Sequence, residues 1–433
     1  MTILEALVDS NKRIGRHAPW PRVIVSPDGW RDAVTALADG QITLAGFWGD
    51  AGQVHLALLD EADPGLVVAT LSLENGGFPS VALSHPPAQR LERAIADLWG
   101  HCPVDTPDSR PWLDHGLWPA SRPMSAARTA HPGEWVRGRP APYGFLPVIG
   151  ESLHQIPVGP VHAGIIEPGH FRFTAQGETV VRLEARLGYA HRGIEAEMTG
   201  SDLARATKLA ARACGDSTVA YAYAFANAAE AAIEVTPSPR AVALRGVMAE
   251  LERLANHLGD VGAICNDAAF AVMLAQFGAL RERVLRSAKA CFGHRLMMDR
   301  IVPGGVTADL DEAGAEILLA LCADLRAALP PLIRLYDGSA SLEDRVVGTG
   351  HLASDLARRF GAGGYVGRAS GRAFDARRVL PYAPYERLNF NVPTRVEGDV
   401  DARIWIRLDE INESIGLIEQ LLAALPEGPI FAV

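Results

Sequence analysis

The stretch Arg212-Ala213-Cys214-Gly215-Asp216-Ser217 has the residue types of a metal-holding turn: a basic residue, a thiol, a glycine, and a second polar position three residues after the thiol. The second polar position, however, is Ser217. A serine hydroxyl is a hard oxygen, un-ionised near neutral pH, and is no substitute for a thiolate on a soft metal. The other cysteines are Cys102, Cys265, Cys291 and Cys322, and no two of the five form C-x-x-C. An odd number at wide spacing argues against a disulfide framework and for reduced thiols. Cys214 therefore reads either as a small buried side chain or as part of a redox site.

A second constellation lies in GPVHAGIIEPGH, where His162, Glu167 and His170 fall close together among glycines. Histidine donates or accepts at neutral pH, and burial can raise a glutamate into the working range of acid–base chemistry. The alternative is a loop whose polar side chains satisfy its own turn backbone. Asp216 could hold a proton beside Cys214, or could cap the helix that STVAYAYAFANAAEAA predicts. Tyr221, one turn beyond Ser217, is expected to face the same cavity, and Tyr223 the core. Arg212 is placed to pair with Glu167 or Asp216, or to lie on the surface. In RLGYAHRGIE, His191 reads as structural, beside Arg192 and Glu195. Arg368, Arg372, Asp375, Arg377 and Arg378 suggest ion-pair networks where subunits meet.

The elements that must position these groups are of two kinds. Residues 42–49, 53–60 and 66–73 read as strands, the first two joined by an Asp-Ala-Gly turn, with helices predicted at 30–38 and 91–100. Residues 101–145 are rich in proline and read as an extended connector, with a domain boundary near 125. FRFTAQ and TVVRLEARL flank a Gly-Glu turn and predict a β-hairpin. From 201 onward apolar residues recur at three- and four-residue steps, with alanines suited to close helix packing, a break at PGGV (303–306), and two late helices at 309–333 and 409–424. The fold class is α+β: a small α+β domain (1–125), then a β-hairpin region and a mainly α-helical bundle (126–433).

Composition narrows the function. The chain has 433 residues and a net charge of −10, which argues against general nucleic-acid binding because phosphate contacts need a basic face. It contains no apolar run of the roughly 18 or more residues that a membrane helix needs, and its start lacks a secretory pattern. The expectation is a cytoplasmic protein able to sit on a membrane as a peripheral subunit. There is no Walker A sequence, no G-x-S-x-G, no H-E-x-x-H, and no G-x-G-x-x-G after a strand, so nothing local indicates an NAD pocket.

Longer stretches carry a family likeness. FPSVALSHPPAQRLERAIADLWGHCPVDTPDSRPWL (78–113) resembles the 30 kDa subunit family of respiratory complex I, whose signature E-R-E-x-x-D-L-F-G…H-P-D-x-R here reads LERAIADLWG…TPDSRPWL. GPVHAGIIEPGHFRF, RLGYAHRGIE, RACGDS, AELERLANHLGDVGA, PGGV, DRVVGTG, GRASGRAFDARRVLPYAPYERLNF and EGDVDARIWIRLDEINES resemble, in order, the complex I 49 kDa subunit and the large subunits of membrane-bound NiFe hydrogenases of the formate hydrogenlyase type.

That resemblance implies a subunit of a membrane-associated redox complex, an oxidoreductase component not catalytic alone. Hydrogenases of this kind hold their NiFe centre with R-x-C-G-x-C and a C-terminal D-P-C-x-x-C. Here the first motif keeps Cys214 alone and the second is missing from the sequence, so the expectation is no metal and no cofactor held by a complete ligand set. The resemblance further implies proton relay or quinone contact by Glu167, His162 and His170, with Arg212, Cys214, Asp216, Ser217 and Tyr221 lining the former metal cavity. It implies an iron–sulfur cluster in a small partner subunit, membrane partners of the antiporter-like and quinone-site kinds, and a place on the cytoplasmic side of the cell membrane. Two other readings stand beside this one: a hydrogenase large subunit whose metal site another chain completes, and a non-catalytic structural subunit.

Overall fold

The computed structural model describes residues 2–116, 118–126, 143–161 and 166–432, and the backbone of 129–130. His162 lies outside the described residues. The chain forms two compact units, one of Met1–Arg16 and Trp20–Ala196, the other of His17–Pro19 and Glu197–Val433.

The first unit begins with helix α1 (Ile3–Asp9), closed by a capping box in which Thr2 and Glu5 satisfy each other's backbone amides. Strands β1 (Lys12–Arg13) and β2 (Arg22–Val25), helix α2 (Pro27–Ala38), and strands β3 (Thr43–Asp50), β4 (Gln53–Asp60) and β5 (Gly65–Ser72) follow. The sheet order is β1-β2-β5-β4-β3, antiparallel except where β2 runs parallel to β5. Ser26 caps α2 and Pro27 opens it, which turns Trp30 into the core against Phe47 and Phe78. After β6 (Gly77–Pro79) comes α3 (Gln89–Trp99), then β7 (Cys102–Val104), paired in parallel with β6.

The E-R…D signature on α3 has a structural purpose. Buried Glu92 accepts the backbone amide of Ala82 at 3.0 Å and the Ser80 hydroxyl, holding the turn before the helix. Arg93 donates to the carbonyls of Arg110 and Pro111, and Asp97 accepts the amides of Trp112, Leu113 and Asp114. Side chains from one helix thus fasten an extended proline-rich segment that cannot build a ladder of its own.

Short strands β8 (Ala120–Ser121) and β9 (Thr129–Ala130) precede an antiparallel sheet of β10 (Leu153–Val158), β11 (His170–Gln176) and β12 (Thr179–Arg186). The hairpin appears where the alternation predicts it, around Gly177-Glu178. Its pattern is inverted: Val180, Val181 and Leu183 are exposed, while Glu184 is buried against Arg110 and Arg182. Helix α4 (Ile194–Met198) leads to the second unit.

The second unit is helical. It contains α5 (Leu203–Ala210), α6 (Thr218–Ile233), α7 (Pro239–Asp267), α8 (Ala271–Phe292), the small hairpin β13 (Ile301–Val302) and β14 (Gly305–Val306), α9 (Glu312–Asp337), α10 (Ala340–Val346), α11 (Ser354–Arg359), α12 (Gly364–Ala369), α13 (Ala376–Val379) and α14 (Val400–Ala423). Helix α7 is the central post, packed against α8 and α14 around Leu244, Met248, Leu251, Phe277 and Ile411. PGGV forms a tight hairpin because the segment at Ile430 passes over it. Val306 donates to the Ile430 carbonyl at 3.0 Å, and a Cβ on Gly305 would overlap that oxygen. The buried Arg245–Glu230 pair holds the same hairpin from below, through the Gly304 amide and the Val302 carbonyl.

Arg368, Arg372, Asp375 and Arg377, expected where subunits meet, are buried inside this unit instead, while Arg378 is exposed and donates to the Phe390 carbonyl. The reason is the supply of acids on other helices: Glu410 for Arg368, and Glu250 for Arg377. A run of arginines reads as an outer patch only while those distant partners are unseen.

Candidate functional site

The second unit contains a cavity of about 600 Å³. Its walls are the turn with Cys214, Asp216 and Ser217, the start of α6 with Ala220, Tyr223, Ala224 and Asn227, one stripe of α7, and Tyr365, Tyr382 and Arg407 from the far side. The α7 stripe consists of Ala249, Glu252, Arg253, Asn256, His257 and Asp260, residues brought to one side by the helical repeat. The turn is pinned at both ends: Thr218 donates to the Ala211 carbonyl at 2.8 Å, and Asn256 donates to the Asp216 carbonyl at 2.9 Å.

Of the expected lining residues, Cys214, Asp216 and Ser217 face the cavity, and Arg212 and Tyr221 are not among those that line it. Arg212 turns to Asp299, with Nη2 to Oδ2 at 2.8 Å, rather than to Glu167 or Asp216. Tyr221 is 47% exposed; Tyr223 packs in the core as expected and also reaches the cavity wall, its hydroxyl donating to the Ala383 carbonyl at 2.5 Å. Ser217 has φ −127° and ψ 31°, so it stands outside the helix and a one-turn count from it loses its phase. Asp216 does not cap α6 either. Glu252 of α7 does so, accepting the amides of Val219 at 2.7 Å and Ala220 at 2.9 Å. A carboxylate at a helix N-terminus satisfies amides left over there and meets the positive end of the helix dipole.

Despite those two bonds, burial raises the Glu252 carboxyl to about 7; the amides and Arg253 pull the other way, and Asp216 adds to the rise. His257 is the reverse case. Arg407 Nη1 donates to its Nδ1 at 3.0 Å, and an arginine can only donate, so that nitrogen carries a lone pair. The ring proton is then on Nε2, 2.7 Å from Glu410. Burial lowers the affinity of this imidazole for a second proton. Arg407 also pairs with Asp260 at 2.7 Å and lies 3.6 Å over the Tyr365 ring. Burial raises the Tyr223 and Tyr382 phenols further above their ordinary value, so both stay protonated.

Behind the stripe, fully buried Glu250 collects four donors: Arg377 at 2.9 Å, Tyr385 at 2.6 Å, Ser414 at 2.7 Å and Arg253 at 3.2 Å. Although its burial favours the neutral acid, these partners hold it down at about 2. Sequence reasoning singles out none of Glu250, Glu252, Arg253 and His257. The signal is present in AELERLANHLGDVGA, where charged residues recur at helical steps on a helix otherwise buried all round.

The donor set does not fit a dinuclear nickel–iron centre. Among the described residues lining the cavity, Cys214 offers the one thiol, and Ser217 offers a hydroxyl where a second thiolate would be needed. In the first unit, Glu167 is exposed and ion-paired with Arg192. His170 leaves Nε2 buried without a hydrogen-bond partner beside Phe145, and burial with Arg172 and Arg186 disfavours its protonation. His191 packs on Trp118 and faces Glu195 at 3.8 Å, in keeping with a structural part.

Known proteins place this architecture. Residues 267–433 match the family described as respiratory-chain NADH dehydrogenase, 49 Kd subunit. The chain is 31% identical to formate hydrogenlyase subunit 5 of Escherichia coli over 363 residues, covering 82% of this chain and 63% of that protein. It is 30% identical to hydrogenase-4 component G of the same organism over 412 residues, covering 93% of this chain and 70% of the relative. It is 29% identical to the C/D fusion protein of the NADH-quinone oxidoreductase of Phocaeicola vulgatus over 408 residues, covering 88% and 77%. The chain thus spans less than two thirds of the formate hydrogenlyase protein and somewhat more of the other two.

Proposed function

We propose a function from one premise: the chain belongs to the family of the respiratory-chain NADH dehydrogenase 49 kDa subunit and its hydrogenase relatives. In this reading it is a peripheral subunit of a membrane-associated redox complex, on the cytoplasmic side. Electrons arrive from an iron–sulfur cluster in a small partner subunit, and membrane subunits of the antiporter-like and quinone-site kinds sit beside it. The cavity of the second unit takes a quinone and couples its reduction to proton uptake, without nickel. Among the described residues no helix is long and apolar enough to cross a membrane, which suits a peripheral place.

The observation that carries this reading is a cavity of about 600 Å³ with one thiol and a ring of protonatable and hydrogen-bonding side chains. A pocket of that size suits a small organic ligand. What the residues supply is acid–base chemistry and fixed donors rather than soft-metal ligation. In the first unit, we assign Glu167, His170 and His162 to proton relay or quinone contact. Support comes from the resemblance of their segment and from the free ring nitrogen of a neutral His170, which can bond a ligand oxygen. A metal site completed by another chain is the second reading, and Ser217 counts against it.

The test fills the cavity. In the intact complex, Ala224→Trp puts an indole among its walls. Turnover with a short-chain ubiquinone analogue is expected to fall about tenfold or more. Unchanged turnover in a complex that assembles normally overturns the reading.

A further inference from the structure

Several of the cavity's ionisable groups are already committed. His257 uses both ring nitrogens, one to accept from Arg407 and one to donate to Glu410. Asp260 is paired with Arg407. Arg253 is turned toward Glu250. Tyr223 spends its hydroxyl proton on the Ala383 carbonyl.

Glu252 differs in kind. Each of its two oxygens accepts one backbone amide of the first turn of α6, at 2.7 and 2.9 Å. Those bonds fix the carboxyl group against the cavity wall. A carboxylate has about four acceptor positions, so two stay open after both amides are satisfied. A proton can therefore join or leave on the cavity side while the helix cap is kept. The charged groups facing it are Asp216, from the turn before α6, and Arg253, its neighbour on α7, and they oppose each other. Asn256, one turn further along α7, holds the Asp216 backbone rather than the carboxyl.

We infer that Glu252 is the catalytic residue that exchanges a proton with the redox ligand in this cavity, loading and unloading it without giving up the cap of α6. The inference rests on the reading of the cavity given above. With a quinone bound, the step balances as follows. The O–H bond of the Glu252 acid breaks and an O–H bond forms on a quinone oxygen. The two electrons arrive one at a time from the partner's iron–sulfur centre, which is oxidised at each transfer and re-reduced by the donor of the complex in between. The second proton comes from water, and water also returns the first to Glu252.

The test uses the intact complex with Glu252→Gln, Glu252→Asp and Ala224→Trp, assayed with a short-chain ubiquinone analogue. Glutamine keeps an acceptor for one amide and cannot carry a proton. Loss of a general acid is worth about 10²- to 10⁴-fold, so Glu252→Gln is expected to slow turnover at least 10²-fold and to flatten its pH profile near neutrality. Glu252→Asp is expected to restore part of the rate with a displaced midpoint. An infrared carboxylic-acid band titrating at about 7 in the wild type, absent in Glu252→Gln, supports the assignment independently of turnover. Wild-type turnover and pH profile in Glu252→Gln, where Ala224→Trp is inactive, overturns the role of Glu252 and leaves the cavity reading standing. Full activity of Ala224→Trp overturns both. If Glu252→Gln fails to assemble, the wild-type band decides against Glu252→Asp: a midpoint that moves supports the role, and one that does not overturns it.

Discussion

Replacing Glu250 with glutamine removes one charge from the point where α7, α14 and the segment around α13 are tied together. Its four donors come from Arg253, Arg377, Tyr385 and Ser414, and the carboxylate is fully buried. Glutamine keeps the shape, but its amide presents hydrogens where the site presents hydrogens too. Arg377 retains Asp375 at 2.7 Å, whereas Arg253 loses the one ion-pair partner found for it among the described residues. Breaking a buried pair by removing one partner costs about 3–5 kcal/mol. The depression of the carboxyl from 4.5 to about 2 independently corresponds to roughly 3 kcal/mol. The sign follows from linkage. The unfolded chain binds its proton at the higher pH, so this stabilisation is present in full above about 4.5 and is lost as pH falls from there toward about 2. Urea unfolding of the purified chain at pH 7 is expected to show a midpoint lower by roughly 1–3 M, taking about 1–3 kcal/mol/M for the slope. The gap between wild type and variant should narrow on acidification through that window. A deficit under about 1 kcal/mol at pH 7, or one that does not change with pH, refutes the reasoning.

Three further outcomes follow from other sites. Arg93→Ala leaves the carbonyls of Arg110 and Pro111 without their donor, so limited proteolysis is expected to cut the segment 105–115 sooner than in the wild type. Gly305→Ala drives a methyl group into the passing Ile430 carbonyl; a loss of about 1–3 kcal/mol is expected from thermal unfolding, as for overpacked sites. Glu252 has the opposite linkage to Glu250. Its affinity for a proton is raised by folding, so its stabilisation is complete below about 4.5 and is lost as pH rises to about 7. Relative to Glu252→Gln, the wild type is expected to lose roughly 3 kcal/mol across that window in denaturant titrations.

Local patterns in the sequence locate β3, β4 and β5 because their apolar runs are bounded by recognisable turns, and the long helices because their apolar residues recur every three or four positions; β1 and the parallel strand β2 escape it, being only two and four residues long. Strand β10 escapes such a reading, since Pro157 interrupts its run and all its residues after Leu153 are exposed. Helix α14 starts at Val400 rather than at the expected 409, because VDARIWIRL alternates like a strand and only burial on both sides reveals the helix. At the site, Cys214, Asp216 and Ser217 are legible because they stand together in the chain. Glu252 is not, because its partners are the amides of Val219 and Ala220 on another helix. Asp216 looks like the cap for the same reason: a local reading sees the nearest acid, and the fold supplies a distant one. Buried Arg377 and Arg368 look like surface residues until α7 and α14 bring acids to them.

Nickel analysis of the purified complex, with anomalous scattering at the nickel edge to locate any metal, bears most directly on the reading of this cavity as a proton-coupled site built without a nickel–iron centre. The expected result is nickel far below one atom per complex and none beside residue 214. A full equivalent of nickel bound at Cys214 would contradict it.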